Sequence, residues 1–235
     1  YDGVWLGLTL RPEETYDLDG VLTACRTAGV KIGACWVEGV GIGRSLTRKR
    51  PMWDVSQSDA IRKSCEHLKT LSHRWRDQGI RTVGFADSYI DLQGPLFQAA
   101  DKGGFLVRTE EGTTYLLSKG GARYGMVDLS NPDAISWLSS LMKAEREEFG
   151  FAGWIADSGG NLPPHAVLHT RESALALHNR WPLLWAQLVQ KTLGPDTAEA
   201  YLAMRSGWLG SSRLLSGVWS GSNSADFGRS TGLPS

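Results

Sequence analysis

The sequence predicts an α/β fold in which parallel strands alternate with helices. Short apolar segments recur along the chain, and between them lie longer stretches with the 3.6-residue periodicity of amphipathic helices. The chain has 235 residues, enough to bury one core, and α/β barrels often have about this size. We therefore expect a single domain over residues 1–235. Its architecture is either an incomplete (β/α) TIM-type barrel of about six of the eight strands or an open doubly wound sheet.

Six apolar segments predict the strands of this sheet. They are Gly3–Leu10, Val30–Val37, Ile80–Phe85, Phe151–Ala156, Tyr201–Arg205 and Leu215–Trp219. The segment Phe105–Leu117 predicts a hairpin that turns near Glu111-Gly112.

Capping residues and glycines mark the helices between these strands. The predicted helices are Leu18–Ala28, a long helix capped by Ser56 or Ser58 and stopped at Gly79, a helix from Asn131-Pro132 to Gly150, and one over about Glu172–Thr192. Proline at the first helical position and glycine just past the end are typical helix boundaries. Pro182 has no amide hydrogen, and it should kink or split the last helix.

Polar residues at the strand ends are the candidate functional residues, because both architectures place their chemistry at the carboxyl ends of the strands. These residues are Glu38, Asp87, Asp157, Arg205 and Ser222. Asp157 ends the apolar strand GWIAD and leads into a loop that contains two glycines. A carboxylate in this position is suited to be a nucleophile or a base, and the alternative is a cap for the next helix.

Composition excludes several classes of partner. Lys and Arg together number 25, as do Asp and Glu, so no electrostatic argument favours a nucleic-acid or anionic-membrane partner. No apolar run approaches the ~20 residues of a membrane span. The three cysteines have no CxxC spacing, which predicts neither a metal site nor a disulfide framework and weakly favours a cytoplasmic location. Ten tryptophans suit sugar rings as well as a core.

Two loop motifs leave alternatives open. The segment Gly39–Gly43 could be a dinucleotide fingerprint, but its GxGxG spacing and the poor helix start that follows favour a flexible loop. Arg50 and Trp53 lie three residues apart in the same loop. A guanidinium beside an indole suits the anionic group of a flat ligand, and the alternative is a solvated basic surface.

Several longer motifs of the chain are specific enough to compare with known families. The segment Gly153–Pro163 (GWIADSGGNLP) resembles GWMADFGEYLP, the nucleophile segment of glycoside hydrolase family 31 in its sulfoquinovosidase branch. Gly125–Pro132 (GMVDLSNP) resembles GVVDLTNP, and Met204–Ser211 (MRSGWLGS) resembles MRAGxxGSQ. Arg50–Trp53 (RPMW) matches an RxxW motif of the branch. The resemblance extends over nearly the whole chain.

The resemblance implies an eight-stranded barrel and a retaining mechanism with two carboxylates and no cofactor or metal. It implies that Asp157 is the nucleophile, that Arg50 and Trp53 bind the sulfonate of sulfoquinovose, and that Arg205 lines the sugar site. The remaining expected sugar-binding residues are Glu38, Trp154 and Trp219.

The chain departs from the branch at the acid/base position. The branch has WAGDQ where this chain has Trp219–Asn223 (WSGSN), so Ser222 replaces the acid/base Asp. A hydroxyl cannot replace a carboxyl group as general acid. Other departures replace QDW by Glu38–Val40 and FGEY by Ser158–Asn161.

These departures leave three hypotheses for the function. The first is a retaining α-glycosidase region for α-sulfoquinovosides, with doubtful activity because of Ser222 and the shortened barrel. The second is an impaired sugar- or anion-binding pseudoenzyme, and the third is a dinucleotide-binding fold. Exposed barrel edges would also favour self-association.

Overall fold

The structure, a computed structural model, describes residues 4–9, 17–38, 59–119, 121–194 and 200–218. Its strands are β1 (Val4–Thr9), β2 (Ile32–Glu38), β3 (Arg81–Asp87), β4 (Tyr89–Asp91), β5 (Leu116–Lys119), β6 (Ala122–Met126), β7 (Gly153–Asp157), β8 (Tyr201–Met204) and β9 (Gly217–Val218). Its helices are α1 (Leu18–Thr27), α2 (Asp59–Asp77), α3 (Pro95–Lys102), α4 (Pro132–Phe149), α5 (Ala174–Leu177) and α6 (Trp181–Leu193). The segments His178–Arg180 and Ser211–Arg213 are short 3₁₀ turns.

The main sheet has six strands in the order β1-β2-β3-β7-β8-β9, and every neighbouring pair is parallel. The order of the strands in this sheet therefore follows their order along the chain, and β4, β5 and β6, which belong to a separate sheet, fall between β3 and β7 in sequence. A doubly wound sheet reverses its strand order at a switch point, and a barrel does not. The described residues thus form part of a TIM-type barrel, which confirms the predicted fold class.

Helix α4 shows how local sequence sets the element boundaries. The side chain of Asn131 accepts hydrogen bonds from the amides of Asp133 and Ala134, and Pro132 occupies the first helical position. Gly150 ends the helix with a left-handed φ of 64°, which a glycine adopts without steric cost. Both predicted boundaries are confirmed.

The last predicted helix is divided, as Pro182 led us to expect. A short helix, α5, and the 3₁₀ turn His178–Arg180 precede α6, in which Pro182 lies in the first turn. Proline is tolerated there because the first amides of a helix have no intrahelical acceptor. The predicted cap at Ser56 or Ser58 of helix α2 lies outside the described residues.

The two faces of the main sheet bury different clusters. Trp154, Leu202 and Met204 belong to a large core between the sheet and the helices. Val83, Ile155 and Ala203 form a smaller cluster on the other face, which is the inside of the barrel. Because side chains alternate along a strand, residues in phase with Ile155 and Ala203 also lie on the inner face.

A small antiparallel sheet is inserted between β3 and α4, with the strand order β4-β6-β5. The predicted hairpin around Glu111-Gly112 is present as a bridge between Arg108 and Thr114. Arg108 also pairs with Val167 through two backbone hydrogen bonds of 3.0 and 2.7 Å. The insertion is therefore tied to the segment that follows β7.

No helix within the described part of the chain is long and apolar enough to cross a membrane.

Candidate active site at the carboxyl ends of the strands

Asp157 lies at the carboxyl end of β7, as the last residue of a strand that is buried throughout. Residues 153, 155 and 157 share one face of the strand, and Ile155 belongs to the inner cluster. Asp157 therefore lies on the inner face of the barrel, where it is only 6% exposed. Burying a carboxylate is costly unless a charged or hydrogen-bonding partner accompanies it.

Arg205 is that partner. It directly follows β8, the neighbour of β7, in the same alternation as Ala203 on the inner face. Its Nη2 donates a hydrogen bond to Asp157 Oδ2 over 2.7 Å. The same nitrogen forms an ion pair with Oδ1 over 2.5 Å, although no described residue donates a well-aligned hydrogen bond to Oδ1. Arg205 thus contacts both oxygens of the carboxylate and donates its hydrogen bond to Oδ2.

A second carboxylate lies beside Asp157 on the adjacent strand. Asp87 ends β3, is paired in register with Asp157, and is 0% exposed. Its Oδ1 accepts a hydrogen bond from the amide of Tyr89 over 3.1 Å, and its Oδ2 accepts one from Ser158 Oγ over 3.0 Å. The hydroxyl of Ser88 donates to the carbonyl oxygen of Ser158 over 3.2 Å. The end of β3 therefore holds the residue that follows Asp157.

The loop after Asp157 requires small residues because neighbouring side chains fill the space around it. A Cβ atom at Gly159 would lie 2.3 Å from Trp185 Cδ1, and one at Gly160 would lie 3.0 Å from Ser206 Cβ. Further along, Asp128 Oδ2 accepts a hydrogen bond from the amide of His169 over 2.7 Å. The loop is packed on one side by helix α6 and is held on the other by the small inserted sheet.

The structure does not bring every expected residue to this site. Trp154 is 0% exposed and packs edge-on against Phe151, with 5.5 Å between the ring centroids. It points to the helix layer, on the opposite face of β7 from Asp157, so it has no surface to offer a sugar. The expectation that Trp154 binds substrate is corrected accordingly.

The other expected residues are Glu38, which ends a strand, and four residues outside the described part of the chain. Glu38 is the last residue of β2, so its backbone lies at the same edge of the sheet as Asp157. Four expected site residues lie outside the described residues, namely Arg50, Trp53, Trp219 and Ser222. Their roles stay predictions.

One residue of the site, Ser158, was not among the expected site residues. Asp87 was expected only as a polar residue at a strand end, and its register with Asp157 could be known only from the strand pairing. Ser158 was recognised only as a departure from the resembling motif. Its link to Asp87 joins residues 71 apart in sequence, which no local pattern indicates.

The described residues contain no group of three or more His, Cys, Asp or Glu side chains placed to bind a metal ion. The chemistry available to this part of the site is that of a buried carboxylate with a guanidinium partner. Such a carboxylate can act as a nucleophile toward an electrophilic carbon or as a base.

Comparison with known proteins assigns this site to a class. The profile of the glycosyl hydrolases family 31 TIM-barrel domain matches residues 9–230. The chain therefore belongs to glycoside hydrolase family 31. Within it, the chain is 33% identical over 242 residues to a sulfoquinovosidase of Agrobacterium fabrum and 31% identical over 238 residues to that of Escherichia coli. These alignments cover 99% and 100% of the chain, but only 35% and 34% of the relatives.

Solved structures share the overall fold of the chain. A family 31 sulfoquinovosidase from E. rectale, in complex with an aza-sugar inhibitor, has a TM-score of 0.79 and 25% identity, over 95% of this chain and 33% of that one. A dextranase from Flavobacterium johnsoniae, complexed with glucose, has a TM-score of 0.70 over 92% of this chain and 27% of that one. Its 17% identity supports the fold alone. The chain spans about a third of the length of these relatives.

Proposed function

We propose that the chain is the part of a retaining α-glycosidase that carries the nucleophile, Asp157, and that its substrates are α-sulfoquinovosides. The observation that carries the proposal is the state of the Asp157 carboxylate. It is buried at the carboxyl end of a barrel strand and is paired with Arg205, whose Nη2 donates a hydrogen bond to Oδ2 and lies within ion-pair distance of Oδ1. The sulfoquinovosidase relatives support the choice of substrate.

In the proposed first step, Asp157 Oδ1 attacks the anomeric carbon of the sugar. A bond forms between Oδ1 and this carbon, and the bond from the carbon to the leaving-group oxygen breaks. Arg205 contacts both carboxylate oxygens, which fixes the orientation of the carboxylate. The oxygen of a water molecule then bonds to the same carbon while the bond from Oδ1 breaks, which releases the sugar and regenerates the carboxylate. The proton lost by the water passes to bulk solvent, and this step is slow without a carboxyl group at position 222.

Ser222 limits this chemistry to reactive substrates. An alkyl glycoside needs a proton on its leaving oxygen, and a serine hydroxyl is too weak an acid to supply it. A fluoride or nitrophenolate leaving group departs without that proton. The chain should therefore form the glycosyl-enzyme from activated substrates and be nearly inert toward alkyl sulfoquinovosides.

The same residue favours a second candidate, a sugar- or anion-binding protein that does not turn over. In that function Arg50 and Trp53 would still bind a sulfonate, because a guanidinium can form two parallel hydrogen bonds to such an anion. The two candidates differ in one observable, which is a covalent bond to Asp157.

Intact-mass spectrometry with an activated sulfoquinovoside tests the proposal. The wild-type protein should gain the mass of one sulfoquinovosyl group, whereas Asp157→Ala should gain none. The variant Asp77→Ala removes an exposed carboxylate at the end of α2 and should label like the wild type. An adduct on Asp157→Ala would show that another residue is the nucleophile. Binding of sulfoquinovose without any adduct would favour the binding protein.

A further inference from the structure

Ser158 directly follows Asp157 and has an unusual backbone conformation. Its φ is +55°, in the left-handed region, and it is one of two described non-glycine residues with positive φ. This conformation is strained for a residue with a Cβ atom. Ser158 is also buried, so solvent does not stabilise its polar groups. Neighbouring residues must therefore hold it in place.

The contacts that hold Ser158 all come from residues at the end of β3, and they reach both its side chain and its backbone. Asp87 Oδ2 accepts a hydrogen bond from the Ser158 hydroxyl, and the Ser88 hydroxyl donates to the Ser158 carbonyl oxygen. Asp87 is itself oriented by the amide of Tyr89. The side chain and the backbone of Ser158 are thus both anchored to the end of β3.

We propose that Asp87 and Ser88 are positioning residues that hold Ser158 in its left-handed conformation and thereby orient the carboxylate of Asp157. The proposal rests on the proposed role of Asp157 as nucleophile. The Ser158–Gly159 peptide is held to the end of β3 through the Ser158 carbonyl oxygen, and the Asp157 carboxylate is held by Arg205, which follows β8. Contacts from the two strands that flank β7 thus restrict the backbone just after the attacking residue and the side chain of that residue.

The hydroxyl of Ser158 is the component that this chain adds. The resembling motif has phenylalanine at this position, and a phenyl ring cannot donate a hydrogen bond to Asp87. The contact between Ser158 and Asp87 is therefore a feature of this sequence rather than of the motif. It spans 71 residues and links two buried polar side chains, so either substitution alone leaves the other group with one hydrogen bond fewer.

A double-mutant cycle on stability tests the structural half of the proposal. The variants are Asp87→Ala, Ser158→Ala and the double variant, and the equilibrium constant for unfolding is measured in urea. The effects should be non-additive by roughly a factor of ten, because the residues share a buried hydrogen bond. Additive effects would overturn the proposal. The variant Ser140→Ala, which changes an exposed serine of helix α4, serves as the control and should alter neither stability nor labelling.

The rate of covalent labelling by an activated sulfoquinovoside tests the functional half. Ser158→Ala keeps a Cβ atom in the left-handed conformation and removes the hydroxyl, so its maximal labelling rate should fall roughly tenfold or more. The sugar concentration at half-maximal rate should stay unchanged, whereas a general loss of structure would change both. Ser88→Ala should lower the maximal rate in the same way.

Each outcome has one meaning. A wild-type maximal rate in Ser158→Ala would overturn the positioning role even if the stability effects are coupled. A wild-type protein that is not labelled at all would overturn the nucleophile assignment and the positioning role with it, and this failure is recognised before any variant is made.

Discussion

Arg205 Nη2 donates a hydrogen bond to Asp157 Oδ2 over 2.7 Å, and the two residues lie at the ends of adjacent barrel strands. The ends of two paired strands place both residues. Asp157 is the last residue of β7, and Arg205 directly follows β8. Strand pairing therefore sets the distance between the carboxylate and its guanidinium partner.

Removing the guanidinium should destabilise the fold. In Arg205→Ala the buried carboxylate of Asp157 loses its hydrogen-bond donor, and we expect the free energy of unfolding to fall by about 1–3 kcal/mol. The additional change Asp157→Asn should recover part of this loss, because it removes the charge that has lost its partner. Urea denaturation measures both effects. Arg213→Ala, at an exposed arginine in the turn Ser211–Arg213, should change stability little, and an equal loss there would contradict the explanation.

Restoring a carboxyl group at Ser222 should restore turnover of alkyl sulfoquinovosides. General acid–base catalysis contributes typically 10²–10⁴-fold, so Ser222→Asp should raise kcat/KM for an alkyl glycoside by a factor in this range. Ser222→Asn has similar size without acidity and should leave the rate unchanged. Steady-state kinetics measures the difference. In the unchanged chain the glycosyl-enzyme should persist in buffer and should be released by added azide. Release in buffer alone at the rate seen with azide would contradict this account.

Sulfonate recognition should depend on Arg50. A charge-assisted hydrogen bond contributes about 1.5–3 kcal/mol, so the chain should prefer sulfoquinovose to glucose by roughly tenfold or more. Arg50→Ala should abolish most of this preference, and Lys49→Ala, which removes the neighbouring positive charge, should retain it. Titration calorimetry with both sugars gives the two affinities. Equal affinities in the wild type would remove the sulfonate hypothesis and leave the fold assignment unaffected.

Gly153 should tolerate no side chain. A Cβ atom there would lie 2.0 Å from the carbonyl oxygen of Tyr201, which is backbone of the paired strand and cannot rotate away. We expect Gly153→Ala to destabilise the protein by about 3 kcal/mol or more, because overpacking must separate β7 from β8. Gly207→Ala, where the nearest atom would be Ser211 Cβ at 3.6 Å, should be tolerated. Thermal unfolding of both variants provides the comparison.

Alkaline pH should weaken the fold through Cys35. Burial raises the pKa of this thiol from about 9 to about 12, with a smaller contribution from Cys25. A folded-state pKa above the unfolded value favours the protonated thiol in the native protein. Its contribution to stability is therefore complete below about pH 9 and is lost as the pH rises toward 12.

The test is the slope of stability against pH. Cys35→Ala should lose less stability than the wild type between pH 9 and pH 11, although it starts lower because a buried sulfur atom has been removed. Cys25→Ala keeps the buried thiol of Cys35 and should retain most of the wild-type slope. An unchanged slope in Cys35→Ala would show that other groups cause the alkaline loss.

Local patterns in the sequence were sufficient for most of the main sheet and its helices. Asn131, Pro132 and Gly150 bound helix α4 as predicted, because caps and left-handed glycines act within a few residues. The six strands were also predicted from local patterns, because a short apolar run between turn residues is typical of a buried strand. The choice of a barrel over a doubly wound sheet needed the strand order, which periodicity does not contain.

The site was predicted only in part because its geometry depends on strand register. Asp157 was identified from its position at a strand end, but the partnership of Asp87 with Ser158 depends on how β3 lies against β7. Trp154 shows the opposite error. It was expected to bind sugar, whereas an interval of three residues places its side chain and that of Asp157 on opposite faces of the strand.

The ties between the inserted sheet and the segment after β7 restrict how that segment can open. The amide of Val167 donates to the Arg108 carbonyl oxygen, and the amide of His169 donates to a side-chain oxygen of Asp128. Both acceptors belong to the insertion, so neither amide can reach solvent deuterium unless the two segments separate. These amides should exchange as one cooperative unit, with one opening free energy that the insertion and the segment after β7 share.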